Sequence, residues 1–331
     1  MRILVTGADG FIGSHLVEKL VLNGFDVNAF TYYNSFDSYG WLDHISPNIK
    51  NEINFFPGDI RDFNSVKNAI RGCNKVIHLA ALIGIPYSYR SPQSYIDTNI
   101  TGTMNVLQAS RDLNVEKIIV TSTSEVYGSA QYVPMNEEHP ILGQSPYAAS
   151  KIASDQISLS HFLSFDLPVI ILRPFNTYGP RQSLRAVIPS IITQAINDEK
   201  RIYLGSLEPT RDFNFIEDTV NGFFSALNSK SGIGEIINIG SGYEISIKEV
   251  VEIIGKILNK DIQILKDKRR ERPQASEVNR LFACNKKAEK VLMWKPEYSS
   301  IAGLKKGITK TIEWFQNPNN LKYYNHNKYV V

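Results

Sequence analysis

A tyrosine and a lysine stand four residues apart in the stretch SPYAASK, as Tyr147 and Lys151. Residues at this spacing lie on one face of a helix. Ser145 is suited to cap that helix, and Pro146 to occupy its first position. Tyr147 would then lie in the first turn, where the positive end of the helix dipole and the lysine cation both favour the phenolate. We therefore expect Tyr147 to act as a base well below the ordinary tyrosine pKa of about 10.

A second group of reactive side chains follows an apolar run in TSTSEVYGSA, where Thr123, Ser124 and Glu125 are consecutive. A carboxylate in such a corner can take the proton from a carbon next to a ketone. A serine hydroxyl is a far weaker acid, so Ser124 is not expected to protonate a leaving group unaided. In the plainer alternatives, Glu125 opens an exposed loop, and Tyr147 and Lys151 lie on the surface of an ordinary amphipathic helix.

Three glycines at a spacing of three, Gly7, Gly10 and Gly13, follow the first apolar run in TGADGFIGSH. The first permits a sharp turn, the second lets the backbone approach a pyrophosphate, and the third lets a helix pack closely on the sheet. The amides and dipole at the start of that helix favour phosphate groups. Because the glycines lie between a strand and an amphipathic helix, they predict a dinucleotide site rather than a structural turn.

The elements that would position these residues alternate between β-branched runs and helical patterns in the first half of the chain. Strands are predicted at 2–6, 26–30, 53–57, 75–81, 116–122 and 167–174, and helices at 11–24, 94–114 and 145–165. Continuous apolar strands separated by helices indicate parallel strands that are buried on both faces. The predicted fold class is therefore α/β, with a Rossmann-type doubly wound parallel sheet.

The second half of the chain is less regular. Helices are predicted near 184–198, 217–228, 246–258, 285–292 and 299–316, and strands at 201–204, 235–239 and 262–266. No Pro/Gly/Ser-rich linker separates the halves. We therefore expect a dinucleotide-binding domain over 1–175 and a smaller substrate-binding lobe over 176–331, with some of the lobe's chain returning to the sheet. The tail NNLKYYNHNKYVV is expected to lie along the surface.

The composition of the 331-residue chain argues against several classes of function. The 36 Lys and Arg residues and 33 Asp and Glu residues are too balanced to favour nucleic acid or an anionic membrane. Two cysteines, Cys73 and Cys284, make neither a disulfide framework nor a metal cluster. No apolar run approaches the roughly 20 residues of a membrane-spanning helix, and the first strand begins too early for a signal peptide. We expect a cytoplasmic protein without a metal, nucleic-acid or membrane partner.

Six stretches occur in the order TGADGFIG, HLAA, TSTSEVYG, YAASK, RPFNTYGP and RDFNFIED. In this order they resemble the extended short-chain dehydrogenase/reductases that act on nucleotide sugars, and the resemblance covers nearly the whole chain. It implies that Thr123, Tyr147 and Lys151 form a catalytic triad, that Lys151 also holds the nicotinamide ribose, and that the C-terminal lobe binds a nucleotide sugar. It also implies a homodimer, formed through the helices at 94–114 and 145–165. The cofactor-binding residues that it implies are Gly7, Gly10, Phe11, Ile12, Gly13, Asp59, Ile60, Leu79, Ala80, Ala81, Asn99, Tyr147 and Lys151.

The cofactor is expected to be NAD, with NADP as the alternative. The end of the second strand carries Thr31, Tyr32 and Asn34 where an acidic residue would usually bind the adenosine ribose. It also has no arginine for the 2′-phosphate of NADP. Asp59, after the third strand, is expected either to reach the adenine or to cap a helix.

Longer stretches resemble one group within this family. These are AFTYYNSFDSYGWLDH, HLAALIGIPYSYRSPQSYIDTNITGT, GPRQSLRAVIPSIITQAI and RERPQASEVNRL. They resemble the NAD-dependent 4,6-dehydratases of legionaminic acid biosynthesis, which act on N-acetylglucosamine linked to UDP or GDP. Glu125 would then remove the carbon 5 proton and deliver a proton to the carbon 6 oxygen. Ser124 stands where thymidine-diphosphate-glucose dehydratases have an aspartic acid, and would orient the leaving hydroxyl or a water.

The Thr-Ser-Glu triplet also occurs in UDP-glucuronate decarboxylases, so it leaves more than one activity open. Decarboxylation of a uronic acid is one alternative, and a nucleotide-sugar 4-epimerase is another. A dinucleotide-binding sensor without catalytic activity is the alternative outside the enzymes, and such proteins typically lack the tyrosine and lysine.

Substrate contacts are expected at the carboxyl edge of the sheet and in the second half of the chain. Asn176 follows a strand at that edge, although a turn-forming asparagine is the alternative. Arg211 in TRDF and Arg272 in RRERPQ resemble the family's pyrophosphate clamps, and their forked donors suit a diphosphate. Arg181 is a further candidate. Arg90, in a segment expected to cover the sugar, would suit a uronate carboxylate.

Overall fold

Seven parallel strands form the central sheet in a computed structural model that describes residues 1–197 and 201–324. They are β1 Arg2–Thr6, β2 Asp26–Tyr32, β3 Ile53–Gly58, β4 Lys75–His78, β5 Lys117–Thr121, β6 Val169–Pro174 and β10 Ile236–Ile239. Their order is β3-β2-β1-β4-β5-β6-β10, and every neighbouring pair is parallel. The order reverses between β1 and β4, which is where sheets of this kind bind ligands. The predicted fold class and the doubly wound parallel sheet are confirmed.

The sheet is buried on both faces because successive side chains along a strand point to opposite sides. In β1, Ile3 and Val5 belong to one apolar core, whereas Leu4 belongs to the other. In β6 all six residues are buried. Covering both faces requires helices on both sides, as expected for parallel strands joined by helical crossovers.

The helices lie close to the predicted positions, with one interruption. They are α1 Phe11–Leu22, α2 Pro47–Lys50, α3 Phe63–Ile70, α4 Ile85–Ser88, α5 Pro92–Tyr95, α6 Gly102–Asp112, α7 Pro146–Phe165, α8 Val187–Asn197, α9 Ile216–Asn228, α10 Ile247–Leu258, α11 Lys286–Leu292, α12 Ser300–Gln316 and α13 Pro318–Leu321. The helix predicted over 94–114 is α5 and α6, joined by a π-helical segment at Ile96–Thr101. Such π segments are frequent at functional sites.

Several short elements were missing from the sequence prediction. Helix α3 has only eight residues, and Asp62 caps it by accepting bonds from the amides of Asn64 and Ser65. The predicted strand over 75–81 ends at His78, because the chain leaves the sheet at Leu79. In the second half, β7 Asn176–Tyr178, β9 Thr210–Phe215 and β11 Glu244–Ser246 form a small sheet that was not predicted. Short strands of three to six residues give too little periodicity to recognise.

The second half of the chain adds a strand to the large sheet and also forms a separate pair of strands. Strand β10 completes the large sheet beside β6, while β8 Arg201–Leu204 pairs with β12 Gln263–Lys266 away from it. Within residues 1–197 and 201–324, no helix is long and apolar enough to span a membrane. Residues 325–331 of the predicted surface tail lie outside the described residues.

Candidate active site

Helix α7 carries the tyrosine and the lysine as predicted. The Ser145 hydroxyl accepts a bond from the Ala148 amide at 3.1 Å, and Pro146 occupies the first turn. Tyr147 is 7% exposed, and its ring packs edge-on against Tyr95 at 6.2 Å between centroids. Both side chains of the Tyr147–Lys151 pair are buried. The alternative that placed them on a solvent-exposed helix face is therefore wrong.

The expected lowering of the Tyr147 pKa is also wrong for this structure. Burial is the largest influence and raises the pKa of the Tyr147 hydroxyl well above 10, while its hydrogen bond with Thr123 lowers the pKa only in part. Lys151 Nζ lies 2.6 Å from the carbonyl oxygen of Thr121, to which it donates. Burial lowers the pKa of Lys151 to about 8. The burial of both groups was not visible from their spacing.

Thr123, Ser124 and Glu125 lie in a tight turn directly after β5. The Thr123 hydroxyl accepts a bond from the Glu125 amide at 3.2 Å, and a short 3-10 helix covers Ser124–Tyr127. Glu125 is 7% exposed, so the alternative of an exposed glutamate that opens a loop is wrong. The turn brings the carboxylate close enough to Tyr147 for its charge to act on the phenol.

Two arginines and two glutamates form a cluster beside this turn, in which Arg211 and Glu125 are buried and Arg272 and Glu277 are partly exposed. Arg272 Nη1 lies 3.6 Å from Glu125 Oε1 and 3.9 Å from Glu277 Oε1. Arg211, which is 6% exposed, donates from Nη2 to Glu277 Oε1 at 3.1 Å. The structure thus brings the two predicted clamp arginines together and places one of them at Glu125. Sequence reasoning missed Glu277, which has no signal apart from its position in the stretch that contains Arg272.

A cleft of about 630 Å³ opens next to Arg272 and Glu277. Its volume lies in the range of small-molecule sites. The residues that line it are Gly205, Ser206, Leu207, Glu208, Pro209, Ile264, Lys266, Glu271, Arg272, Gln274, Glu277 and Asn279.

The glycine loop has the close approaches that a dinucleotide cradle requires. Gly7 has φ +66°, and a Cβ there would lie 2.8 Å from the Ala80 nitrogen. A Cβ on Gly13 would lie 2.1 Å from the Gly7 carbonyl oxygen, so only glycine allows α1 to start so close to β1. Phe11 and Ile12 open α1, which directs its first amides toward the loop. These residues fit a dinucleotide pyrophosphate.

Neutral His78 fixes the other side of the cradle. Its Nδ1 lies 2.8 Å from the Thr6 hydroxyl, and its Nε2 lies 3.1 Å from the Thr103 hydroxyl. Burial lowers the pKa of His78 to about 3. The Thr6 oxygen in turn accepts bonds from the amides of Leu79 and Ala80. The predicted cofactor residues at 79–81 therefore adjoin Gly7, and sequence reasoning missed the histidine that holds them.

Asn99 and Ile60 are placed as structural supports. The Asn99 amide bridges the backbone of Leu82, with bonds of 2.8 and 2.9 Å, and also donates to the Ser150 hydroxyl. Ile60 is buried and packs where a Cβ on Gly102 would be 2.9 Å away. In this structure both side chains hold the backbone around the cradle, and their contact with the cofactor stays a prediction.

Asp59 does not cap a helix, because Asp62 has that role. Its carboxylate binds the Arg61 guanidinium, with a bond of 2.9 Å to Nε. Arg61 is close enough to Tyr32 at the end of β2 for their charges to interact. Arg61, which the fold brings close to the expected ribose site, is therefore already paired with the Asp59 carboxylate. Asn34 bonds within its own loop, to the carbonyl of Ser38 at 2.8 Å.

The remaining predicted substrate residues fall in two places. Asn176 begins β7, opposite Phe213 of β9, and its buried Oδ1 has no hydrogen-bond partner in the described part of the chain. Arg181 does not join Arg211 and Arg272. Instead, it has φ +70° and donates to Glu18 of α1 at 2.5 Å. A direct substrate contact for Arg181 is therefore not supported by its position.

Comparison with known proteins agrees with this geometry. Residues 4–307 match the family model described as GDP-mannose 4,6 dehydratase. The chain is 36% identical to a putative UDP-glucose 4-epimerase of Methanocaldococcus jannaschii, over 96% of this chain and 99% of that protein. It is 34% identical to a UDP-N-acetyl-alpha-D-glucosaminuronate decarboxylase of Bacillus cytotoxicus, over 80% and 82%. A dTDP-glucose 4,6-dehydratase of Streptomyces venezuelae, solved with NAD, superposes with a TM-score of 0.84 at 29% identity over 99% and 100%.

The fold and the site define an extended short-chain dehydrogenase/reductase. Within that class, the chain belongs to the family of nucleotide-sugar dehydratases and epimerases. These three relatives carry three different activities, so the activity of this chain has to be inferred from its own site.

Proposed function

We propose that the chain is an NAD-dependent nucleotide-sugar 4,6-dehydratase that acts on N-acetylglucosamine linked to UDP or GDP. The observation that carries the proposal is Glu125, a buried carboxylate two residues after Thr123 and close to Tyr147. A 4-epimerase needs no further acid or base once the carbon 4 ketone has formed. A dehydratase needs a base for the carbon 5 proton, and a carboxylate suits that step.

In this proposal the redox part of the site is formed by α7 and the turn after β5. Thr123 holds the hydroxyl on carbon 4, and Tyr147 takes its proton. Burial keeps the phenol protonated in the chain alone, so this step requires the positive charges of Lys151 and the bound cofactor to favour the phenolate. Lys151, one helical turn after Tyr147, keeps a positive charge and holds the nicotinamide ribose. NAD, when bound at the glycine cradle, supplies the hydride acceptor at carbon 4 and the hydride donor at carbon 6. The bond between Asp59 and Arg61 supports NAD over NADP, because Arg61 is already paired.

Elimination is assigned to Glu125. It takes the proton from carbon 5, which the neighbouring ketone has made acidic, and gives a proton to the departing oxygen on carbon 6. As hydride returns to carbon 6, carbon 5 takes up a proton, which balances the one that Tyr147 removed from the carbon 4 hydroxyl. Ser124, which is 2% exposed, orients the leaving hydroxyl or a water. Arg211 and Arg272 bind the diphosphate, so that the sugar lies between the cleft and Tyr147.

Decarboxylation of a uronic acid is the second candidate, and the relative from Bacillus cytotoxicus favours it. Arg90, the side chain considered for a uronate carboxylate, is exposed, whereas its neighbour Tyr89 bonds the Ser276 hydroxyl at 2.6 Å. Because Arg90 is exposed, its position does not favour binding of a uronate carboxylate in the site, and we prefer the dehydratase.

The test is incubation of the protein and NAD with UDP-N-acetylglucosamine, GDP-N-acetylglucosamine and UDP-glucuronate, followed by mass spectrometry. We expect loss of water from one of the two N-acetylglucosamine nucleotides, and a product with the absorbance of a keto sugar in base. Loss of carbon dioxide from the uronate would establish the decarboxylase. An isomer of unchanged mass that chromatography separates from the substrate would establish an epimerase.

The proposal includes a cytoplasmic homodimer that forms through the helical stretch 92–112 and α7. Ile96, Met104 and Leu163 on these helices are exposed apolar side chains in the single chain, at 46%, 47% and 77% exposure. Sedimentation equilibrium of the purified protein would measure the assembly state.

A further inference from the structure

Behind the candidate active site lies an ion pair that has no role in the proposed reaction. Asp155 of α7 accepts bonds on Oδ2 from Arg173 Nε at 3.1 Å and from Arg173 Nη2 at 2.9 Å. The two side chains are 1% and 0% exposed. The other carboxylate oxygen, Oδ1, is buried without a hydrogen-bond partner in residues 1–197 and 201–324. A buried pair of this kind adds little to stability compared with apolar side chains of similar size. Stability alone therefore does not account for it.

The ion pair is bonded to both ends of the catalytic turn. Ser122, which precedes Thr123, donates from its hydroxyl to Asp155 Oδ2 at 2.7 Å. Tyr127, which ends the 3-10 helix that contains Glu125, accepts a bond from Arg173 Nη1 at 2.9 Å. Thr123, Ser124 and Glu125 are thus held between two residues that are anchored on the same pair.

A third connection fixes the outer side of this network. The Tyr127 hydroxyl donates to Asn238 Oδ1 of β10 at 2.8 Å. The network therefore ties α7, β6, β10 and the turn after β5 to one another without a solvent-exposed bond.

The same pair also lies on the reactive face of α7. Tyr147, Lys151 and Asp155 follow one another at intervals of four residues, which places them on one face of the helix. The Asp155 charge raises the pKa of Lys151 against the effect of burial. On the neighbouring strand β4, the charge of Lys151 lowers the pKa of His78.

We propose that Asp155 and Arg173 are positioning residues, whose ion pair fixes the Thr123–Glu125 turn against Tyr147 and Lys151. The inference rests on the proposed function in one respect, which is that these residues carry the reaction. It does not depend on which nucleotide sugar is the substrate, because oxidation at carbon 4 is common to the dehydratase, the decarboxylase and the epimerase.

The first test cuts the bonds to the turn while leaving the ion pair intact. The double variant Ser122→Ala/Tyr127→Phe removes the two hydroxyls that connect the turn to the pair. The matched control Ser158→Ala/Tyr178→Phe removes a buried hydroxyl of α7 and a buried phenol. Among residues 1–197 and 201–324, these two groups bond the carbonyls of Ser154 and Leu304. Stopped-flow measurement gives the rate at which saturating nucleotide sugar reduces bound NAD, using whichever sugar of the panel reacts with the wild type.

We expect the first double variant to lose about tenfold or more in this rate, because small misplacements of reacting groups are costly. NAD affinity should stay within about twofold in both double variants, since neither touches the glycine cradle. The proposal is overturned if Ser122→Ala/Tyr127→Phe keeps the wild-type rate, or if its loss is no larger than that of the control.

The second test needs no substrate, so it remains decisive if no sugar of the panel reduces NAD and the proposed function fails. The pKa of Lys151 is measured by carbon NMR of protein produced with ¹³C-labelled lysine, with the signal assigned from Lys151→Met. Asp155→Asn should lower that pKa, and Asp155→Glu should restore it toward the wild-type value. An unchanged Lys151 pKa in Asp155→Asn would show that the ion pair does not act at Lys151, and would overturn the proposal. If Asp155→Asn does not fold, Asp155→Ser removes the same carboxylate while Arg173 keeps its charge, and the Lys151 pKa is read in the same way.

Discussion

Replacing Glu125 by glutamine should separate oxidation of the sugar from elimination of water. Glutamine keeps the shape of the side chain but cannot accept the carbon 5 proton. Loss of a general base typically slows a reaction by about 10²–10⁴-fold, which corresponds to about 3–5 kcal/mol in the barrier. Thr123, Tyr147 and Lys151 remain in place, so the substrate should still reduce bound NAD. The reduced cofactor should then persist, because no product is released.

The same substitution has a calculable effect on the fold. At 3.6 Å the attraction between Glu125 and Arg272 is about 5 kcal/mol at an effective dielectric constant of about 20. Much of this gross attraction is offset by desolvation, and Arg272 keeps Glu277 at 3.9 Å. The net cost in unfolding free energy should therefore be about 1–3 kcal/mol, which leaves the protein folded.

The assay follows the near-ultraviolet absorbance of reduced nicotinamide in a single turnover, and the dehydrated product by mass spectrometry. Glu217→Gln is the matched control, because Glu217 is also paired, with Lys310 at 2.7 Å, but lies away from the site. It should retain both steps. Full turnover by Glu125→Gln would refute the assignment of Glu125 as the base. Failure to reduce NAD, with the fold intact, would show that Glu125 acts in the first step instead.

Four further outcomes are expected. Burial lowers the pKa of Lys151 to about 8, so its positive charge is present below that pH and is lost above it. The rate of NAD reduction should therefore fall as pH rises through about 8. Lys151→Arg should move that limb to higher pH in the same stopped-flow assay. Gly13→Ala places a Cβ 2.1 Å from the Gly7 carbonyl oxygen, so calorimetry should show a loss of about 1–3 kcal/mol, with weaker NAD binding. Arg272→Met should weaken binding of the nucleotide sugar by about 1.5–3 kcal/mol in titration calorimetry. Arg181→Met should leave that affinity almost unchanged, because Arg181 bonds Glu18 of α1 and does not join Arg211 and Arg272. An equal loss in both variants would contradict the placement of Arg181.

The amino-acid sequence alone was sufficient for features that depend on local spacing. Apolar strands separated by helices predicted the parallel sheet, and three glycines between a strand and a helix predicted the cradle. The cap and the first turn of α7 were predicted from Ser145 and Pro146, and the structure confirms both. These features need only a few neighbouring residues, because helical periodicity, capping and glycine turns are set by the chain near them.

Only the tertiary structure decided the surroundings of the reactive groups. Burial, which no spacing reveals, reverses the expected shift of the Tyr147 pKa. Long-range contacts bring Arg272 to Glu125 but direct Arg181 to Glu18. The pKa of a side chain and the partner of an arginine depend on which distant residues the fold places within a few ångströms. The sequence therefore specifies which groups are available for chemistry, and the packing of the two halves of the chain determines which of them meet.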